Sequence, residues 1–535
     1  MENSVLSLVP PILALVMVLL TRRVLISLGA GIFVGALMLS YADLPAGSSL
    51  WEGILSSITS SIVMIYEIVK GLIITDGALN TWNMYIIFFL FLLGMITSLI
   101  SLSGGSRAFG EWAMKRVKTR AGAQLVAVIL GLIIFIDDYF NSLAVGNVSR
   151  PITDRHHVPR AKLAYIIDST SAPVCVISPI SSWGAYIMSI IGGIFVTLQV
   201  TGISALGAFL KMIPMNFYAI FTLLLVFASI FFNLNLGKMR EHEERAILHH
   251  QLVDPSKGKV PGQSDVIESK NGKVRDLVLP IIVLIVATVS FMFVTGANAT
   301  EGEATLLKIF ENTDVSASLL YGGLAALAIT LLLAFMKRMP TAQIVGGIGS
   351  GIKSMVPAIS ILFFAWTIIE IIGQVGTGVY LAHLIDGRMN VAFLPVLLFV
   401  ISSFMSLATG TSWGTFGVML GIAANIVSVV DMNMLLPAMA SVLAGSVFGD
   451  HCSPISDTTI LSSTGAGSHH IDHVLTQLPY AVTAGLLSVV GYLILGFTGS
   501  TLLSLGVALI LLALFIYMVK VREKVLLAKT ASSEN

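Results

Sequence analysis

Charged residues are scarce in this chain. Asp, Glu, Lys and Arg make up 11% of the sequence and hydrophobic residues 56%, whereas soluble domains carry roughly 25% charged residues. With a mean hydropathy of +0.92, the composition excludes a soluble globular protein and reads as a polytopic membrane protein. Neither sign of charge is in excess. Thirty Lys and Arg stand against 29 Asp and Glu, so there is no global basic field of the kind that attracts nucleic acid. Cysteine is nearly absent: Cys175 and Cys452 both lie in apolar surroundings, and free thiols are expected rather than a disulfide framework. The N-terminus, MENSVLSLVPPILALVMVLLTRR, has Glu2 where a secretory leader would be basic, and no small-residue cleavage site follows. It reads as a retained first span.

What the chain has instead is apolar runs. A membrane-crossing helix needs about 20 mostly apolar residues. Residues 5–20, 24–40, 84–102, 216–234, 277–295, 315–335, 356–374, 475–497 and 500–518 meet that need. Three further regions, 121–148, 161–196 and 391–463, are apolar but interrupted. Residues 51–74 are amphipathic, with Glu52, Glu67 and Lys70, and fit a helix lying in the interface as well as one that crosses. Basic stretches set orientation. Those at 21–23, 106–120, 150–162, 235–276, 337–340 and 520–529 all fit the cytoplasmic face, provided that 121–148 dips into the membrane and returns.

That condition yields a repeat. Each half then has three spans, a re-entrant hairpin (121–148 or 391–424), an interrupted span (161–196 or 433–463) and a closing span. Five crossings per half is an odd number, so the halves point oppositely, as in secondary transporters. The expected fold is an all-α polytopic membrane protein with two inverted repeats, each with a re-entrant hairpin and a discontinuous transmembrane helix. Residues 1–234 form the first repeat, 235–276 a cytoplasmic linker, 277–497 the second repeat, and 498–535 an extra transmembrane helix with a cytoplasmic tail. The N-terminus is then outside. At residue level the repeat shows mainly as DSTSAP (168–173) against DHCSP (450–454). SSWG (181–184) falls in the first interrupted span and TSWG (411–414) in the second hairpin, a mismatch the repeat leaves unexplained.

Polar residues concentrate where the apolar runs are interrupted. The first hairpin carries IFIDDYFNSLAVGN, with Asp137, Asp138 and Asn141 as candidates. An ionised carboxylate at membrane depth costs about 2.5–3.5 kcal/mol or more, so it needs a cavity, a partner or a cation. The first interrupted span has Asp168, Ser169, Thr170 and Ser171, followed by Pro173 and Pro179. Proline removes a backbone donor and frees carbonyls, and oxygens suit a hard cation. Thr411, Ser412 and Thr415 stand among glycines at the second hairpin; a small-residue packing face is the plainer account of them. GDHCSPISDTT gathers Asp450, Ser453, Asp457, Thr458 and Thr459 around Pro454, as a discontinuous helix that binds ions at its facing ends would. Asp168 and Asp450 are the expected Na⁺ carboxylates, in one site shared by the two halves. Glu370 is the one acid in an otherwise clean span, a candidate proton carrier or gate unless it sits at the outer interface. His469, His470 and His473, and His156 and His157, read as solvated loop histidines, although a zinc site is a formal alternative.

Three long stretches carry a family resemblance. FGDHCSPISDTTILSSTGAGSHHIDHVLTQLPYA, ATGTSWGTFGVM and IDDYFNSLAVGNVSRPITDRHHVPRAKLAYIIDSTSAPVCVISPISSWG resemble the NhaC-type sodium/proton antiporter family. The resemblance covers both hairpins and both broken spans, but not the linker 235–276 or the tail after 500. It implies a secondary transporter of the bacterial inner membrane with Na⁺ and H⁺ as coupled ions. Similar members include plain Na⁺/H⁺ exchangers, malate–lactate antiporters and proteins of amino-acid uptake, so the resemblance leaves the substrate open.

The expected function is Na⁺/H⁺ antiport by alternating access, with the two ions competing at membrane-embedded aspartates. It needs no enzyme chemistry and no bound cofactor. The alternative is a Na⁺-coupled carrier of an amino acid or small organic acid. The absence of a Lys or Arg legible at membrane depth, to neutralise such a carboxylate, favours the first reading. By analogy with other hairpin-containing transporters, a homodimer is expected.

Overall fold

The computed structural model describes residues 4–21, 24–42, 50–75, 77–258, 272–300, 309, 312–376, 380 and 390–533. Apart from a two-residue β-hairpin that pairs Ile74 with Leu79, its regular elements are helical. In the first half these are α1 (Val9–Thr21), α2 (Val24–Ala42), α3 (Leu50–Ile73), α4 (Thr81–Ser103), α5 (Gly105–Met114), α6 (Arg120–Ile133), α7 (Asp138–Arg155), α8 (Arg160–Cys175), α9 (Ser182–Thr197), α10 (Ala205–Met212) and α11 (Phe217–Phe231). Helix α12 (Met239–Leu248) lies in the linker. The second half has α13 (Arg275–Ala299), α14 (Val315–Met336), α15 (Thr341–Val375), α16 (Leu394–Thr409), α17 (Ser412–Val430), α18 (Leu435–Cys452), α19 (Asp457–Ala466) and α20 (His470–Thr498), and α21 (Thr501–Ser533) follows.

Among the described residues, nine helices are long and apolar enough to cross a membrane, or ten if the bent pair α10–α11 counts as one. Helix α3 is one of the nine. The expected polytopic all-α fold with hairpins and broken helices is what the chain adopts. In the first hairpin the chain turns over 134–137, and the Asn141 amide ties α7 back to α6 through the carbonyls of Gly131 and Ile134, both at 2.8 Å. In the second, Gly410 turns the chain at φ +69°. A Cβ there would meet the Ile455 carbonyl oxygen at 2.5 Å, so this position needs glycine for both conformation and space. The broken helices are α8–α9, interrupted over 176–181, and α18–α19, interrupted over 453–456.

Packing repeats in the same order in both halves. α1 packs on α2 as α13 packs on α14, and α2 packs on α15 as α14 packs on α4. α8 is embraced by α6, α7 and α11, as α18 is by α16, α17 and α20. The central helices α4 and α15 cross at Gly94 and Gly351, where a Cβ on either residue would strike the other's carbonyl oxygen at 2.2–2.3 Å. Small residues at a crossing are what let two membrane helices approach this closely.

Two details differ from expectation. Pro173 does not break the first interrupted span. It sits inside α8, which runs on to Cys175, because a proline there costs the helix only one donor while its neighbours hold the turn. The DSTSAP and DHCSP stretches are therefore not equivalent: Asp168 lies two turns before its break, whereas Asp450 lies in the last turn before its own. The SSWG and TSWG stretches both begin helices at interruptions, α9 and α17. They meet in space, with the Trp183 and Trp413 rings 5.9 Å apart and the Tyr186 hydroxyl donating to the Trp413 carbonyl at 3.0 Å. They are two partners in one contact, not two copies in a repeat.

Candidate ion-binding site

The interruptions converge. Within each half, the second segment of the broken helix bonds back to the hairpin tip: Ser182 N–H to the Ile136 carbonyl at 2.8 Å, and Asp457 N–H to the Gly410 carbonyl at 3.4 Å. Between the halves, α7 packs on α19 and α17 on α9. The α7–α19 crossing is close. Ser142 Oγ and Ser462 Oγ are 3.2 Å apart, and a Cβ on Gly146 would lie 2.4 Å from the Gly465 backbone. Hydroxyl, carboxyl and amide side chains are thereby buried where apolar helices alone would otherwise meet.

One group centres on Asp450, which is 1% exposed. Its Oδ2 accepts from Ser412 Oγ at 3.1 Å and Thr458 Oγ1 at 3.3 Å, while its Oδ1 is buried without a hydrogen-bond partner among the described residues. Asp457, half-buried, accepts from the Tyr139 hydroxyl and from Thr458 N–H at 2.9 Å. Asp138 accepts from Trp183 Nε1 at 2.8 Å, and its Oδ2 too is buried without a partner. Asn141 has a third such oxygen, Oδ1. Asp137 is committed locally: it caps α7 through Phe140 N–H at 3.1 Å and accepts from Ser182 Oγ at 3.0 Å.

The second group surrounds Asp168, which is fully buried. It accepts from Thr459 Oγ1 at 3.1 Å, Ser462 Oγ at 3.2 Å and Gln477 Nε2 at 2.6 Å, and His473 Nε2 lies 3.2 Å away. Gln477 also donates to the His451 carbonyl at 3.1 Å, and the His451 ring is 3.0 Å from the Tyr218 hydroxyl. Asp168 and Asp450 thus have no shared ligand atom. Consecutive threonines of α19 link them: Thr458 bonds Asp450 and Thr459 bonds Asp168.

Other candidates take humbler positions. Ser453 Oγ donates to the Leu407 carbonyl at 2.7 Å, pinning the break to the second hairpin instead of facing Asp450. Thr170 back-bonds to the Ile166 carbonyl at 2.8 Å. Ser171 is 3.2 Å from Ser142, and Ser169 Oγ is buried without a partner. Thr411 begins α17 with no side-chain capping bond. Glu370 lies apart, accepting from Gln374 at 2.8 Å on the wall of a cavity of about 850 Å³ that Glu67, Asn80, Asn83, Trp82 and Trp366 also line.

Two expectations are corrected. His473 is not a solvated loop residue. It is fully buried against Asp168, because α20 begins at His470 and its first turn turns inward. His469, His470 and His473 do not converge either: His470 Nε2 is directed to the Pro454 carbonyl at 2.7 Å, and among the described residues no group of three or more His, Cys, Asp or Glu can hold a metal ion. The last residue of the basic stretch 150–162 is buried on the linker side. Lys162 of α8 is fully buried and bonds Glu243 of the linker at 2.7 Å.

Sequence reasoning missed Trp183, Tyr139, His451 and Gln477. Gln477 had a signal, since it is a polar residue in an apolar run and four residues from His473, hence on the same helix face. The aromatic residues had none, because their role depends on which aspartate they meet.

Comparison with known proteins identifies the family. The profile described as the Na+/H+ antiporter family matches residues 174–497, which hold α9 and the second broken helix but neither the first hairpin nor Asp168. The chain is 47% identical over 525 residues to an uncharacterized protein of Haemophilus influenzae, covering 97% of this chain and 96% of that one. It is 31% identical over 191 residues to the malate-2H(+)/Na(+)-lactate antiporter of Bacillus subtilis, covering 35% of this chain and 40% of that protein. Its fold is similar to that of the Alcanivorax borkumensis YdaH transporter, with a TM-score of 0.50 at 13% identity, over 82% of this chain and 89% of that one. The match spans more than half of the chain and holds the second hairpin, the second broken helix and Asp450, and the chain belongs to the Na⁺/H⁺ antiporter family of secondary transporters.

Proposed function

We propose that this protein exchanges Na⁺ for H⁺ at the Asp450 group, by alternating access between two inverted halves. The observation that carries the reading is that two carboxylate oxygens of this region, Asp450 Oδ1 and Asp138 Oδ2, are buried without a hydrogen-bond partner among the described residues. Buried polar atoms are ordinarily satisfied, and an open, buried carboxylate oxygen is completed either by a proton or by a cation. Asp457, joined to Asp450 through Thr458, supplies a further hard donor of the kind Na⁺ prefers. Burial favours the neutral form of a carboxylate, whereas a neighbouring cation favours the ionised form. One group therefore holds a proton or supports Na⁺, and competition of that kind is exchange.

Asp168 has a different part. Four polar side chains already surround its two oxygens, so it organises α19 and α20 around the ion group instead of offering an open ligand. The linker face is the cytoplasmic side under the charge bias of the loops.

The test is transport by purified protein in liposomes carrying an imposed pH gradient. Na⁺ or Li⁺ alone should dissipate the gradient, and K⁺ should not. Dissipation that required malate, lactate or arginine beside Na⁺ would replace simple exchange with coupled transport of that solute.

A further inference from the structure

We propose that the linker residues 235–258 form a latch over the ion route, in which Glu243 and Asp472 are positioning residues that act through α8 and α20. The inference rests on reading the Asp450 group as the exchange site, with Asp168 organising the helices around it. A polar linker between two halves reads most simply as a tether, and a tether needs only reach. This one is built into the protein instead.

The inward stripe of α12 is Met239, His242, Glu243 and Ala246, which puts a carboxylate where a packing residue belongs. Glu243 is 2% exposed. Its Oε1 accepts from Lys162 of α8 at 2.7 Å, and its Oε2 accepts from Arg120, the first residue of α6. Lys162 spends its other donors on Asn235 Oδ1 at 3.1 Å and the Ser229 carbonyl at 3.3 Å. Arg120 also reaches the His157 carbonyl at 3.1 Å. Beyond α12 the strap continues across the same face. The Leu252 carbonyl accepts from Arg160 N–H at 3.1 Å, and Lys257 pairs with Asp472 of α20. At its start, Leu234 and Leu236 are both bonded by the Tyr480 hydroxyl, at 2.7 and 3.0 Å.

The strap therefore grips the two helices that hold Asp168. Lys162 precedes Asp168 on α8 by under two turns, and Asp472 is the neighbour of His473. Alternating access requires these helices to part on one side. Burying a carboxylate with an ammonium costs several kcal/mol of desolvation, and breaking such a pair by removing one partner is strongly destabilising. Lifting the strap whole is different, because both charges regain water as the pair is lost. Such a contact is stable when seated and inexpensive to open as a unit, which is what a latch requires and a tether does not.

Cys452 provides a readout independent of transport. It is partly buried at the break beside Asp450, so its labelling depends on opening, and replacing Cys175 with alanine leaves it the one thiol in the chain. The rate of its alkylation by a membrane-impermeant maleimide reports how often the site opens. Lys257 is half-exposed, so Lys257→Glu folds with little risk. It should speed alkylation roughly threefold to fivefold, the scale of a partly exposed ion pair, and adding Asp472→Lys should restore the parent rate. Glu243→Gln should speed it too. Alkylation at the parent rate in both Lys257→Glu and Glu243→Gln would make the linker a tether and end the proposal. Because alkylation does not depend on exchange, unchanged labelling alongside an inactive Asp450→Asn would remove the latch alone. Faster labelling in a protein that fails to exchange Na⁺ would remove the exchange reading alone.

Discussion

Replacing Asp450 with asparagine separates ion binding from folding. The asparagine oxygen can occupy the Oδ2 position and keep both hydroxyl bonds, from Ser412 and Thr458. A hydrogen bond to a charged group contributes about 1.5–3 kcal/mol and one to a neutral group about 0.5–1.5 kcal/mol, so the exchange loses roughly 2 kcal/mol over the two bonds. Against that, the substitution removes the cost of burying an ionisable carboxylate, several kcal/mol when it carries neither proton nor cation, and offsets part of this with an amide N–H left unpaired at the Oδ1 position, about 1–3 kcal/mol. The fold should be at least as stable as the parent. Na⁺ binding changes far more. A unit charge even 4 Å from a cation contributes about 4 kcal/mol at an effective dielectric near 20, roughly a thousandfold in affinity. The assays are Na⁺-driven dissipation of a pH gradient in liposomes and the thermal midpoint of the purified variant. Exchange should vanish with the midpoint unchanged or raised. A variant that exchanges with a Na⁺ half-saturation within about tenfold of the parent would refute the assignment, since an effect of about 1.4 kcal/mol is too small for loss of a charged ligand.

Three further outcomes follow from the same geometry. Asp168→Asn should keep the protein folded, whereas Asp168→Ala strands Thr459, Ser462, His473 and Gln477 at about 1–3 kcal/mol each and should lower the thermal midpoint sharply; equal midpoints for the two would contradict the donor count. Gly146→Ala places a Cβ 2.4 Å from the Gly465 backbone and should destabilise by about 1–3 kcal/mol, the usual cost of overpacking, with a matching drop in the midpoint. Burial first, and the Arg245 guanidinium second, hold the linker's His242 below the ordinary histidine range, with Lys257 adding to this and Asp472 and Glu241 opposing it. Undocked, it takes up a proton near pH 6.5, so docking of α12 is at full strength above about pH 6.5 and weakens as pH falls below it. Protection of the α12 amides, after division by the base-catalysed intrinsic exchange rate at each pH, should be lower at about pH 5.5 than at about pH 8 for that reason, and equal protection would exclude the histidine as its cause.

The sequence by itself determined the layers of this protein. Apolar runs of membrane length are a one-dimensional property, so most of the spans and the interruptions near 134–137, 176–181, 410 and 453–456 were readable, although α17, read as half of a re-entrant hairpin, is long and apolar enough to cross. Proline, glycine and aspartate inside apolar runs marked where helices stop. Only the tertiary structure decided which aspartate meets which partner. Thr459 lies 291 positions from Asp168 and Gln477 lies 309 from it, and no spacing rule reaches across such gaps. Pro173 looked like a break and is not one, because a neighbouring helix can support a turn that has lost one donor. His473 looked solvated and is buried, and Lys162 and Glu243 looked like loop charges and are sealed under the linker. In each case the residue type was plain in the chain, but its energy depends on whether the fold leaves it to water or gives it a partner.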